Sequence, residues 1–282
     1  MNAPLSETRK RTYRPFVALA LALFAIVGLS GCNKLKARDK LAQGVAAYKN
    51  GKYDDAIEDF KDAIKLDPGL TVAQLYLATA YQSEYIPGAP SEENKRVADE
   101  AIKQYEDILS RDPNNLSAID YMGSLLYNMA SNPFSPETFE KSKQFHLRHV
   151  ALSPNDAEPY YWVGLIDWTL AFRAGAQIRS DYNHAHVTKQ LRDDQPLPPD
   201  LRDEYATKMS PTVEDGISMM KKAIERKADY EDAMAYLSLL YRQKGDMQAN
   251  PNDRDELIKQ ADALLDQVKQ IKQKKASTQS SS

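Results

Sequence analysis

The chain has 282 residues, with 37 Lys and Arg against 40 Asp and Glu, a formal charge of −3 and a single cysteine. One cysteine excludes an internal disulfide framework, and a charge balance slightly on the acidic side argues against a nucleic-acid partner. The length admits one elongated domain or two compact ones, and composition does not choose between them.

At the amino terminus, Arg9, Lys10, Arg11 and Arg14 precede an apolar run from Phe16 to Ser30, which closes on the small residues Ser30 and Gly31. This run of 15 residues is short of the ~20 a spanning helix needs, so it reads as the hydrophobic core of a secretory signal. The segment "LSGC", Leu29 to Cys32, resembles the lipobox of bacterial lipoproteins. The resemblance implies cleavage before Cys32, acylation of its sulfur and a membrane anchor at the new amino terminus. No Arg-Arg pair supports the twin-arginine route. In lipoproteins of two-membrane bacteria an Asp after the cysteine favours retention at the inner membrane; here the residue is Asn33, which points to the outer membrane, facing the periplasm. Removing residues 1–31 takes away four bases and one acid and leaves 33 bases against 39 acids, a charge of −6. Residues 32–36 are then expected as a short lipidated tether.

Residues Ala37 to Leu70 read "ARDKLAQGVAAYKNGKYDDAIEDFKDAIKLDPGL", two helical patterns joined by "KNGKY" and closed by "DP". Ala56, Phe60 and Ala63 fall on one helical stripe, and Pro68 cannot continue a helix. The period and build resemble the tetratricopeptide repeat: Gly44 stands where the two helices cross, Tyr48 lies one place beyond the usual aromatic of the first helix, and Gly51 makes the turn. Prolines return at Pro113 and Pro154, at offsets of 45 and 41 residues, so the following units carry insertions. The expected units lie near 37–70, 71–115, 116–156, 157–230 and 231–275, with a polar tail at 276–282. The fourth unit holds the largest insertion, and Ala228 replaces its closing proline. Repeats that cannot bury an apolar face alone must stack. The resemblance therefore implies an all-α, right-handed superhelical solenoid of about five helix pairs over 37–275.

A search for catalytic chemistry finds no phosphate loop, HExxH or GxSxG motif, so no enzyme, cofactor or metal is expected. His146 and His149 share one helix face and occupy repeat packing positions; His184 and His186 sit in the large insertion as a solvated loop. Three or four ligands in a small volume are needed for a metal, and nothing in the spacing brings these pairs together.

The family resemblance directs five positions of each first helix into a concave surface. Tyr48 is such a position in repeat one and Leu75 in repeat two. Tyr127 follows in repeat three, Tyr161, Leu165 and Trp168 in repeat four, and Leu239 and Arg242 in repeat five. This mixture of aromatic, apolar and polar groups suits protein or peptide segments. The Lys and Asn clamp by which some members hold a terminal carboxylate is replaced by Leu41 and Val45, which disfavours that use. The expected function is a lipid-anchored scaffold for other envelope proteins. The alternative is a ligand-capturing transporter component, or an envelope enzyme with a site in the 170–215 insertion. Within that insertion, "TLAFRAGAQIRSDY" is expected to extend the preceding helix, "LRDEYATKM" to form a short helix, and Ser210-Pro211 to cap the start of the next one.

Overall fold

The computed structural model describes residues 14–192 and 195–280, with side chains from 32 to 278 apart from 193–194. The signal segment read at 1–31 lies outside the described residues, except that the backbone of 14–31 is described. The described residues form ten α-helices and no strand, as the all-α class requires. They belong to two compact units, up to Pro113 and from Asn114 onward.

The first unit holds α1 (Arg14–Lys49), α2 (Tyr53–Leu66), α3 (Thr71–Glu84) and α4 (Glu92–Arg111). Each helix packs on the next, and α1 also touches α3. Gly51, at a φ of 72°, turns the chain from α1 into α2, a conformation that costs other residues a Cβ clash. Ala56, Phe60 and Ala63 are fully buried, so the stripe written at four- and three-residue spacing becomes the face turned to α1 and α3. Residues 32–36, expected as a tether, continue α1 as helix. The connection between α3 and α4 is held by one side chain. Asn94 is buried; its Oδ1 accepts from the Ile86 N–H at 2.7 Å, and its Nδ2 donates to the Ile86 and Ala89 carbonyls at 2.9 Å each. Its own N–H bonds the Ser91 Oγ that caps α4.

The second unit holds α5 (Leu116–Ser131), α6 (Pro136–Leu152), α7 (Glu158–Ala185), α8 (Pro199–Arg226), α9 (Glu231–Asp246) and α10 (Pro251–Ser280). Asn115 and Ser135 cap α5 and α6, and Pro136 occupies the first turn, where no N–H is needed. The extension of α7 through "TLAFRAGAQIRSDY" is present. The start expected at Ser210-Pro211 is not: α8 begins at Pro199 and carries Pro211 inside it. An interior proline costs about 3 kcal/mol. Against that cost, Tyr205, Met209 and Val213 form a buried stripe in the main core of the unit, and the Tyr205 hydroxyl donates to the Ala171 carbonyl at 3.1 Å. Burying three such side chains contributes more than the proline removes. The tail expected from 276 is helical through Ser280, as the last turn of α10.

One contact recurs in both units. A Cβ added to Gly44 would meet the Phe60 ring at 2.5 Å, one on Gly123 the His146 ring at 2.7 Å, and one on Gly164 the Met220 side chain at 2.9 Å. In these three helix pairs the glycine opens a slot in the first helix, and a side chain of the second helix fills it.

Candidate functional site

In the first unit, the ends of α1 and α3 put Tyr48 and Ser83 side by side, with the hydroxyls 3.0 Å apart. The Tyr48 ring lies 5.4 Å from Tyr53 and 6.5 Å from Tyr76, and Tyr76 stacks on Phe60 at 5.5 Å. Tyr48 is therefore half-buried and rigidly held, with Leu75 also half-buried on α3.

The second unit carries a larger aromatic face. Tyr161, Leu165, Trp168 and Phe172 follow at spacings of four, three and four along α7, so they form one stripe. Tyr161 lies 5.2 Å from Tyr230 and 5.9 Å from Tyr236. Trp168 meets Tyr236 edge-on at 5.0 Å and stacks on Phe172 at 5.2 Å. Tyr236 of α9 thus bridges Tyr161 and Trp168 of the α7 row. Phe172 is 51 % exposed and Leu239 38 % exposed, whereas Leu165 is buried at 5 %. Leu165 is a core residue rather than an open groove position, because α7 turns it into the cluster shared with α8 and α9.

Tyr127 is half-buried, edge-on to Phe139 at 5.2 Å and to Trp162 at 5.4 Å. Its hydroxyl lies 3.5 Å from that of Thr169. Arg242 pairs with Asp262 of α10 at 2.5 Å, so its charge is answered within the unit. Cys32, the proposed attachment point, is exposed. Burial raises the Tyr161 phenol well above its ordinary value, with Tyr236 adding to the effect, and burial pushes Tyr230 up to about 12. Both phenols stay neutral at physiological pH and offer a ring face and a hydroxyl.

Tyr236, Trp162, Tyr230 and Phe172 were not among the residues singled out from the sequence. Phe172 was signalled by its spacing of four from Trp168. Tyr236 stands next to Ala235, and only the packing of α9 on α7 shows that it reaches the face.

Behind this face lies a polar interior. The fully buried His146 ring stacks on Trp162 at 5.2 Å, and neither of its ring nitrogens has a partner among the described residues. Burial pushes its pKa down to about 3. His149 Nδ1 lies 2.5 Å from an Asp120 oxygen. Lys143 bridges Asp167 at 2.6 Å and Asp215 at 2.8 Å, tying α6, α7 and α8 together. Burial raises the Asp167 carboxyl to about 7 against the opposing pull of Lys143. His184 and His186 are exposed, with His186 stacked on Tyr182 at 4.0 Å. Among the described residues no three His, Cys, Asp or Glu side chains are grouped to hold a metal.

The sequence model of the tetratricopeptide repeat matches residues 41–70, the α1–α2 pair that contains the Gly44 slot. No curated protein matches this sequence. Solved structures similar to it include one of MamA, with a TM-score of 0.54 at 17 % identity over 86 % of this chain and 94 % of that one. MamA from Desulfovibrio magneticus RS-1, from residue 41 to its end, gives 0.52 at 15 % identity over 85 % and 96 %. A further MamA structure gives 0.50 at 18 % identity over 83 % and 96 %. At these identities the likeness shows the fold, an array of helix pairs.

Proposed function

We propose that this chain is a lipid-anchored scaffold of a bacterial envelope, held by Cys32 at the outer membrane and facing the periplasm, whose aromatic helix faces bind segments of other envelope proteins. The observation that carries the reading is the α7–α9 aromatic row. Trp168, Tyr161 and Tyr236 present ring faces with polar tips, the residue types that dominate binding surfaces, and Phe172 and Leu239 leave apolar surface in water beside them. The anchor rests on the "LSGC" resemblance and on an exposed, unpaired Cys32. Two or three acyl chains there would exceed the marginal hold of one. Because residues 32–36 are helical, Cys32 stands only about 8 Å from Ala37 along the helix axis. The first repeat would lie close to the bilayer.

Two experiments test the two halves. Cys32→Ser should abolish palmitate labelling and block cleavage after Gly31; unchanged labelling would refute the anchor. For the face, a photoreactive amino acid at position 172 or 239, irradiated in intact envelopes, should crosslink a defined envelope protein. Crosslinks obtained only from exposed positions outside this row, for example at position 225 on α8, would refute the assignment.

A further inference from the structure

The α7–α8 pair outruns its neighbours. Helix α7 has 28 residues and α6 has 17, about 42 and 26 Å respectively. The α5–α6 turn meets α7 at Arg173, whose guanidinium carbon lies 5.2 Å from the centre of the Phe134 ring. Beyond that point α7 continues to Ala185, about three more turns, without α6 beside it.

The step holds a half-open cavity of about 620 Å³, within the range of small-molecule sites. Its walls are mainly apolar: Phe134, Leu170, Ala174 and Met209. At its rim stand Arg173 and Lys208, both exposed. Neither makes an ion pair among the described residues, in contrast to Lys143, Arg179 and Lys244, each of which has an acid. No acidic side chain lines the cavity. Two unanswered cations at the mouth of an apolar hollow are complementary to one kind of ligand: an apolar body that ends in an anion.

We propose that this cavity binds a small amphipathic carboxylate, an alkyl chain seated between Phe134, Leu170 and Met209 with its headgroup between Arg173 and Lys208. The site is separate from the aromatic row and does not depend on the protein-binding reading. Arg173 is already oriented by its contact with the Phe134 ring, so less freedom is lost when it bonds a carboxylate.

The test uses the full chain in phosphatidylcholine nanodiscs and, as probe, decanoate bearing a diazirine on its alkyl chain. Irradiation should label peptides containing Phe134, residues 170–180 and Met209. Plain decanoate should suppress the labelling, and decyltrimethylammonium and decanol at the same concentration should not. Arg173→Gln combined with Lys208→Gln should lower labelling about tenfold or more, the size expected for losing charge-assisted bonds. Both side chains are exposed, so the helical content should not change. Ala174→Trp, which fills the hollow and leaves the charges, should block labelling as well. Equal suppression by the cationic or neutral amphiphile overturns the proposal, as does labelling spread over the chain or undiminished labelling in the double variant. Suppression by a peptide with an apolar free carboxyl terminus, at lower concentration than decanoate requires, would overturn it in favour of a protein tail.

Discussion

The slot opened by a glycine in the first helix is filled by Phe60 in the first unit and by His146 in the second, each ring lying where a Cβ on the glycine would clash with it. The first filling is wholly apolar. The second leaves two ring nitrogens buried without a partner and is followed by a polar interior of Ser142, His149, Asp167 and Ser238. The geometry of a helix pair therefore constrains the size of the filling residue, and its chemistry is free to vary. The unit with the polar interior is also the one that carries the extended helices, the larger aromatic face and the cavity.

The largest effect expected from breaking this comparison is in the apolar slot. Phe60→Ala should destabilise the protein by about 3–5 kcal/mol, read as a lower denaturant midpoint. A loss below about 1 kcal/mol would mean that the slot is not what holds the first pair together.

The aromatic face separates into two responses. Phe172→Ala should weaken capture of the crosslinked partner by about 2 kcal/mol or more with little change in melting temperature, since Phe172 is 51 % exposed. Tyr127→Ala should mainly lower the melting temperature, because Tyr127 is wedged between Phe139 and Trp162. Reversed outcomes would move the binding surface from α7–α9 to α5.

A smaller effect appears with pH, and two buried groups act in opposite senses. The pKa of His146 is depressed from 6.5 to about 3 in the folded chain, so its contribution is present above pH 6.5 and is lost as pH falls towards 3. That of Asp167 is raised from 3.8 to about 7, so its contribution is full below pH 4 and is lost as pH rises through 7. Denaturation curves between pH 4 and 8 should show His146→Phe flattening the acid-side loss and Asp167→Asn steepening it. Parallel shifts of both variants at every pH would contradict the assignment. At pH 7 itself, His146→Phe should stabilise the second unit by about 1–2 kcal/mol, because it removes unsatisfied polar atoms and keeps the shape that Phe60 has in the equivalent slot.

Local patterns were enough for the helix pairs. The Ala56, Phe60 and Ala63 stripe, the turn at Gly51 and the glycine at position 44 each depend on residues within a few positions of one another or on a repeated period, so they can be read in one dimension. The placement of Tyr48, Tyr161 and Trp168 on first helices of their pairs depends on the same repeated period. The burial of Leu165 at 5 % depends instead on how α8 and α9 approach α7. Pro211 misled because its local preference to start a helix was outweighed by the burial of Tyr205, Met209 and Val213 on either side of it. The reach of Tyr236 to the α7 row, the pairing of Lys143 with Asp167 and Asp215 across three helices, and the cavity between α7, α8 and the turn at Phe134 all join residues far apart in the chain. Only tertiary packing decides such contacts, because the free energy that selects them comes from surfaces several helices contribute together.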